Sequence, residues 1–242
     1  MNVAHIVDMA TNGSLLNEQM TINILKARLD AITISVEHIN SEGYKNITQV
    51  FSDYDTIISN VTRLYRLKNI YSSKLSIKAK IIKNLVSEDE YMAFVHDFSS
   101  IADLVEVNGL MGWSRSSLKD FTLGSRLTTG IDGFSPLART RKVCSLPFTA
   151  MAINFDGTVS VCCNDWSHGL IVGDVKHEKL IDIWNGDILN NIRMLHISGR
   201  REDVKICRDC QYILGMPPWT NLDDYADHLI RIYQRSPGLQ IS

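Results

Sequence analysis

Several features that would assign this sequence of 242 residues to a particular class of protein are missing. No apolar run approaches the roughly 18 residues that a membrane-spanning helix needs, and residues 1–5 lack the basic and apolar stretches of a signal peptide. The 25 Lys and Arg residues are balanced by 27 Asp and Glu residues, so no excess of positive charge favours a nucleic acid or an anionic membrane. We therefore expect a soluble, cytoplasmic protein that binds neither nucleic acid nor membrane.

Cysteine is absent from residues 1–143, and all five cysteines lie beyond them: Cys144, Cys162, Cys163, Cys207 and Cys210. The odd number, the size of the chain and the lack of a secretion signal argue against a disulfide framework. The pair Cys207 and Cys210 also lacks the strand-to-helix context of a thioredoxin-like redox motif. A four-thiolate metal centre fits these positions best.

A hairpin is the element that brings the distant cysteines together. The dipeptide Asp156-Gly157 predicts a tight turn between two β-rich runs, of which the second covers residues 158–163. This turn places Cys144 close to the end of the second strand. Because side chains alternate along a strand, only one of Cys162 and Cys163 is expected to face the site.

A predicted helix with apolar positions between Leu180 and Leu195 returns the chain to Cys207 and Cys210. In this Cys-x2-Cys pair, one tight turn presents two thiolates to a metal. Four basic residues nearby either offset the negative charge of the thiolates or form a solvated surface: Arg200, Arg201, Lys205 and Arg208. Zinc and iron–sulfur clusters both accept four cysteines, so the spacing leaves both open.

The first 143 residues alternate between predicted strands and helices. The connections of a dozen or more residues favour parallel pairing, and hence an α/β sheet or barrel. Strands are predicted at residues 4–10, 31–36, 75–82 and 104–107, and helices at residues 17–29, 46–67 and 88–98.

Polar residues at the ends of these strands are candidate ligand contacts, because α/β folds bind ligands at that edge of the sheet. They are Asn12, Ser35, Glu37, Asn84 and Asn108, of which Asn12 and Ser35 equally suit turn or helix-cap positions. Trp113, Arg115 and Trp219 are candidates for lining a substrate pocket, although aromatic residues near linkers more often pack.

The cysteine-bearing part resembles the short SPASM, or twitch, domain of radical S-adenosylmethionine (radical SAM) enzymes. The segments that carry the resemblance are residues 144–148, 153–159, 162–165, 173–175, 180–185 and 207–210. The resemblance implies an auxiliary 4Fe–4S cluster bound by Cys144, Cys162, Cys207 and Cys210, with Cys163 as an alternative ligand. The spacing is similar to that of radical SAM aminocyclitol dehydrogenases.

The first half resembles the radical SAM partial barrel from its third strand onward. Residues 9–16 are similar to the end of the third strand, and residues 33–37 to the fourth strand, which implies that Ser35 and Glu37 lie near bound S-adenosylmethionine. The Cys-x3-Cys-x2-Cys motif that holds the catalytic cluster of that family is absent, as is its Gly-Gly-Glu-Pro-like motif. S-adenosylmethionine is therefore expected as a cofactor only if the missing N-terminal segment is supplied.

We accordingly predict an incomplete (β/α) barrel at residues 1–125, a linker at 126–142, a SPASM domain with a hairpin and a helix at 143–216, and a helical tail at 217–242. The predicted function is that of the C-terminal part of a radical SAM oxidoreductase, whose auxiliary cluster accepts an electron from the substrate or positions it. The alternatives are a non-catalytic iron–sulfur or electron-relay protein and, less favoured, a structural four-thiolate zinc domain. Expected partners are a ferredoxin- or flavodoxin-type electron donor or acceptor and a small, carbohydrate-like substrate.

Overall fold

The computed structural model describes residues 4–50, 52–111 and 127–234. The chain divides into two compact units, one of residues 1–110 and one of residues 111–242. The predicted boundary at residue 125 lies outside the described residues, as do Trp113 and Arg115, so the predicted domain limits stay predictions. Within the described ranges, no helix is long and apolar enough to cross a membrane.

The first unit is built on a parallel four-stranded sheet in which strand order follows chain order. Its strands are β1 (Asp8–Thr11), β2 (Ala31–Val36), β3 (Ser76–Ile82) and β4 (Leu104–Asn108). Its helices are α1 (Glu18–Ala27), α2 (Ser41–Thr48), α3 (Tyr54–Ile70) and α4 (Glu88–Phe98). The predicted α/β class with parallel pairing is confirmed, although β1 begins at Asp8 rather than at residue 4.

The predicted helix at residues 46–67 is wrong, because two helices occupy this region. Helix α2 begins at Ser41, where the Asn40 side chain accepts the N–H of Gly43 at 2.8 Å. It ends at Gln49, whose left-handed backbone stops the helix, and α3 begins after Asp53.

The two faces of the sheet differ in polarity. On β2, Ile32, Ile34 and Val36 are buried in a core shared with residues of α1 and α3. Full burial of each such side chain contributes about 1.5–3 kcal/mol. The alternate residues are half-buried and include the polar Thr33 and Ser35, and the register places Ser35 beside Lys80. Lys80 in turn lies beside Glu106, so a polar row crosses three strands.

The second unit contains an antiparallel three-stranded sheet of β5 (Ala152–Ile153), β6 (Thr158–Ser160) and β7 (Ile171–Asp174). The predicted hairpin turn is confirmed, and Gly157 adopts a φ of +89°. The helices are α5 (Leu146–Thr149), α6 (Leu180–Trp184), α7 (Asp187–Ile197), α8 (Lys205–Arg208), α9 (Tyr212–Gly215) and α10 (Ala226–Gln234). The single helix predicted around residues 180–195 is therefore interrupted, because Gly186 forms the extended N-cap of α7.

Candidate metal centre

Four cysteines of the second unit line one cavity. They are the four predicted ligands, Cys144, Cys162, Cys207 and Cys210, and all of them are free thiols. Cys163 is exposed and is not among the lining residues. The structure thus brings the predicted set together; that these thiols bind a metal stays a prediction.

Cys144 is held in place by hydrogen bonds to the residues that precede it. The Asp223 carboxylate accepts the main-chain N–H groups of Lys142 and Val143, the latter at 2.8 Å. The Arg141 guanidinium donates to the Met216 carbonyl at 3.0 Å. These contacts attach residues 141–143 to Met216 and Asp223, which lie more than 70 positions later in the sequence. The position of Cys144 therefore depends on the residues around 216–223.

Cys162 lies in the turn that follows β6. Its carbonyl accepts the N–H of Asp165 at 3.3 Å, and the buried Asp165 carboxylate accepts the N–H groups of Gly169 and Leu170 at 2.9 and 2.8 Å. As expected, only one of Cys162 and Cys163 faces the cavity. Because β6 ends at Ser160, this turn rather than strand alternation separates the two thiols.

Cys207 and Cys210 come from one tight turn at the end of α8. The N–H of Cys210 donates to the carbonyl of Cys207 at 3.3 Å. Val204, which precedes α8, is buried in the core of this unit and accepts the N–H of Cys207 at 2.9 Å. The turn that carries both thiols is thereby anchored to the core.

Burial favours the uncharged form of all four thiols. Burial raises the pKa of Cys144 to about 11 and that of Cys162 to about 12, and it also raises the pKa of Cys207 and of Cys210. A bound cation removes this penalty, because it stabilises the thiolate form and releases the protons. Metal binding at this site is therefore coupled to deprotonation.

The donor chemistry of the cavity fits an iron–sulfur cluster. Soft thiolate ligands select zinc, copper(I) or iron–sulfur clusters over oxygen-seeking cations, and four cysteines are the complement of a 4Fe–4S cluster. Asp165 also lines the cavity, but its carboxylate is already bonded to the turn that it closes. Over the described ranges, no group of three His, Cys, Asp or Glu side chains is arranged to hold a single metal ion.

Of the four basic residues singled out from the sequence, Arg201 is the one that lines the cavity. Its guanidinium donates to the Cys207 carbonyl, and its charge opposes the effect of burial on the pKa of Cys207. Arg200 instead pairs with Asp203 at 2.8 Å, and the exposed Arg208 donates to the Glu202 carbonyl. Lys205 is exposed.

His196 also lines the cavity, and the sequence analysis missed it. It is fully buried on α7, and neither ring nitrogen makes a well-formed hydrogen bond to a described residue. Burial and the Arg201 charge lower its pKa to about 4, while a weaker contact with the Cys144 main chain acts in the opposite direction. The available signal was its position one turn after Ile192, on the apolar face of the predicted helix.

The strand-end candidates of the first unit lie at or near the carboxyl edge of its sheet. The Asn12 side chain accepts the N–H and hydroxyl of Ser14, as a turn residue does. The Asn84 side chain accepts the N–H of Leu110 at 2.9 Å. Asn108 ends β4. Asn84 and Asn108 therefore lie at the carboxyl edge of the sheet, as predicted for strand-end residues.

The two predicted S-adenosylmethionine contacts lie at the carboxyl end of β2. Ser35 is within β2 and Glu37 follows that strand. Burial raises the pKa of Glu37, and the nearby Lys80 lowers it. The role of both residues stays a prediction. Trp219 in the second unit is 80% exposed, so it lines no enclosed pocket.

Comparison with known proteins identifies the cysteine-bearing part. Residues 144–211 match the SPASM family model, which is described as an iron–sulfur cluster-binding domain. The chain is also 20% identical over 83 residues to the S-adenosyl-L-methionine-dependent 2-deoxy-scyllo-inosamine dehydrogenase of Niallia circulans, a match that covers 34% of this chain and 33% of that protein. The matched region thus spans about a third of the relative's length.

Two solved structures align with large parts of the chain. Native anSMEcpe with bound AdoMet aligns with a TM-score of 0.49 at 11% identity, over 95% of this chain and 75% of that one. BtrN in complex with AdoMet and 2-DOIA aligns with a TM-score of 0.31 at 12% identity, over 80% and 77%. The family match confirms the resemblance predicted from the sequence, since residues 144–211 match the model of the SPASM iron–sulfur cluster-binding domain.

Proposed function

We propose that Cys144, Cys162, Cys207 and Cys210 bind a 4Fe–4S cluster, which serves as the auxiliary cluster of a radical-SAM-type oxidoreductase. The observation that carries the proposal is the meeting of these four thiols in one cavity of a SPASM domain. When bound, such a cluster carries single electrons at a potential set by its charge, hydrogen bonds and exposure.

The residues around the thiols prepare the site for a charged group. Val161, Ile206 and Ile213 line the cavity with apolar side chains. The cysteines supply four thiolates once their protons are released, and Arg201 places one positive charge beside them. This charge lowers the cost of gathering negative charge in a buried place.

The radical part of the proposal concerns the first unit. Since no cysteine precedes Cys144 in this sequence, the thiolates for an S-adenosylmethionine-binding cluster must come from a segment with the Cys-x3-Cys-x2-Cys motif. We place Ser35 and Glu37 among the contacts of that cofactor, because they lie at the carboxyl edge of a parallel sheet. The name of the curated relative gives 2-deoxy-scyllo-inosamine as its substrate, which supports a small, carbohydrate-like substrate for this chain. We also propose a ferredoxin- or flavodoxin-type electron partner, because an iron–sulfur cluster exchanges single electrons.

Iron and sulfide analysis tests the ligand set. Anaerobically reconstituted chain is expected to hold about four irons and four sulfides, and Cys207→Ser is expected to lose most of them. Cys163→Ser is the matched control, because this neighbouring cysteine is exposed and outside the cavity. Zinc without sulfide in the wild-type protein, or equal losses in both variants, would contradict the proposal.

An electron-relay protein without radical chemistry is the second candidate, because the four thiols that line one cavity are enough to bind a cluster that carries single electrons. The discriminating measurement mixes reduced, cluster-loaded protein with S-adenosylmethionine and a peptide or chain that carries the Cys-x3-Cys-x2-Cys motif. Formation of 5′-deoxyadenosine only in the presence of that segment supports the oxidoreductase. If no 5′-deoxyadenosine forms with or without that segment, and the cluster can still be reduced and reoxidised reversibly, the result supports the electron-relay protein.

A further inference from the structure

His196 is a buried polar residue whose ring makes no well-formed hydrogen bond, and its polar contact with the Cys144 main chain is weak. Its exposed fraction is 0%, and both Nδ1 and Nε2 lack a well-formed hydrogen bond to a described residue. A buried polar group without a partner is costly and uncommon in native proteins. The ring also lies in the wall of the four-cysteine cavity, so its open positions are next to the place where a bound group would sit.

Arg193, on the same helix, is a buried polar side chain that makes three hydrogen bonds, and only its Nη2 atom lacks a well-formed one to a described residue. Arg193 is 1% exposed and donates to the carbonyls of Pro147 and Trp184 and to the Asn190 side chain, at 2.7–2.8 Å. His196 follows it by about one turn, and its ring has only the weaker contact with the Cys144 main chain. If His196 only filled space in the core, an apolar side chain would suit this position, as Met194 does at another buried position of the same helix.

Histidine has a property that an apolar residue lacks. In every protonation state its ring carries at least one N–H group, and sulfur atoms in an iron–sulfur site accept hydrogen bonds that tune the reduction potential. The sulfur atoms of four cysteines line the same cavity as His196. No other histidine lines it within the described residues.

We propose that His196 donates a hydrogen bond to a sulfur atom of the cluster site and thereby raises the reduction potential of the bound cluster. The inference rests on the proposed iron–sulfur function. A donor aimed at sulfur stabilises the reduced form more than the oxidised form, because reduction adds negative charge to the sulfur atoms. His196 acts on the potential and supplies no metal ligand.

Two substitutions of similar size separate hydrogen bonding from packing. His196→Met removes the donor, whereas His196→Gln keeps an N–H group. The reduction potential of each anaerobically reconstituted protein is measured by EPR-monitored redox titration, alongside iron and sulfide content. His196→Met is expected to shift the reduction equilibrium about tenfold toward the oxidised form, which is about 59 mV for one electron, and His196→Gln to recover part of that shift.

The measurement distinguishes failure of this inference from failure of the proposed function. A wild-type protein without iron and sulfide would remove the proposed function, and the inference with it. Full cluster content in all three proteins with unchanged potentials would overturn the inference alone. Equal shifts in His196→Gln and His196→Met would also overturn it, because they would reflect packing rather than the donor.

A second measurement needs no stable variant. The chain has seven histidines, and all of them can be labelled with nitrogen-15 in the wild-type protein. Pulsed EPR of the reduced cluster is expected to show one weakly coupled labelled nitrogen, as a hydrogen-bonded ring gives. A strong coupling, typical of a directly bound nitrogen, or the absence of any coupling would overturn the inference.

Discussion

The guanidinium of Arg193 stacks on the indole ring of Trp184, with 4.2 Å between Arg193 Cζ and the ring centroid. The same guanidinium donates to the Trp184 carbonyl at 2.7 Å and to the Pro147 carbonyl at 2.8 Å. Since Pro147 lies in α5, just after Cys144, Arg193 joins α6 and α7 to the segment that carries the first cysteine of the cavity.

Loss of this arginine should destabilise the second unit. We expect Arg193→Met to lower the free energy of unfolding by about 2–4 kcal/mol, because it removes the Arg193 donor from one buried and one part-buried carbonyl. Urea unfolding of the metal-free protein measures the change. Arg200→Met is the matched control, since Arg200 is 61% exposed and makes a surface ion pair worth at most about 1 kcal/mol. Equal effects of the two substitutions would contradict this role for Arg193.

Gly13 and Gly199 offer a comparison of crowding at similar backbone conformations. Their φ angles are +77° and +72°, but a Cβ on Gly13 would lie 3.1 Å from Ile34 Cγ2 and 3.3 Å from Ile57 Cγ2, whereas nothing lies within 4 Å of one on Gly199. We expect Gly199→Ala to cost about 1–2 kcal/mol from the left-handed backbone alone. Gly13→Ala should cost about 1–3 kcal/mol more, because both isoleucines are fully buried.

Denaturant unfolding of the two alanine variants measures that difference. The loop at Gly13 has little freedom to move away from the isoleucines, since the Asn60 side chain donates to the carbonyls of Gly13 and Ser14 at 2.9 and 3.1 Å. A cost at Gly13 no greater than that at Gly199 would show that the loop yields in spite of these bonds.

The sequence predicted the elements that have a strong local pattern. Strand β2 and helix α4 begin and end where the pattern predicts: the first alternates β-branched residues, and the second begins with a capping box between Ser87 and Glu90. The divided helices were not predicted, because their breaks depend on weak local signals. Gln49 adopts a left-handed backbone that is uncommon for its residue type, and Gly186 interrupts an otherwise continuous apolar stripe.

The four cysteines of the site could be found from spacing and a hairpin signal, since thiols have few other uses in such a pattern. The roles of the residues around them could not be predicted in the same way. Four basic residues were equivalent in the sequence, and the fold places only Arg201 in the cavity wall. His196 resembles an ordinary member of an apolar helix face until its unpaired nitrogens are seen in the structure.

The N-terminus of α4 should lose stability in acid. Hydrogen bonds from the Ser87 main chain and hydroxyl lower the pKa of Glu90, and His38 adds to this effect. A carboxyl with a lowered pKa stabilises the folded state above its unfolded pKa, and that contribution is lost as the pH falls through the folded value. We therefore expect the stability difference between wild type and Glu90→Gln to be full above about pH 5 and to shrink below about pH 4. Urea unfolding across this range measures it, and a difference independent of pH would contradict the assignment.

The positive charge of Arg201 should be visible in the redox behaviour of the loaded protein. Its guanidinium donates to the Cys207 carbonyl and lines the cavity, so a charge there favours the reduced, more negative state. We expect Arg201→Met to disfavour reduction about tenfold, close to 1.4 kcal/mol, as one partly screened charge nearby would. Arg201→Lys should retain most of the wild-type potential, because lysine keeps the positive charge. It lacks the planar donor geometry of the guanidinium, so this variant separates charge from hydrogen-bond geometry.

Arg200→Met controls for the general effect of removing an arginine from this segment, since Arg200 is engaged with Asp203. EPR-monitored titration at equal iron content gives the three potentials. If Arg201→Lys lowered the reduction potential as much as Arg201→Met does, the hydrogen bond to the Cys207 carbonyl rather than the charge would set the potential. If Arg200→Met shifted it equally, the effect would come from the net charge of the surface and not from the cavity wall, because long-range charges act alike and are screened by salt. Repeating the titration at high salt separates these cases, since a charge in the cavity wall is screened far less than one at the surface.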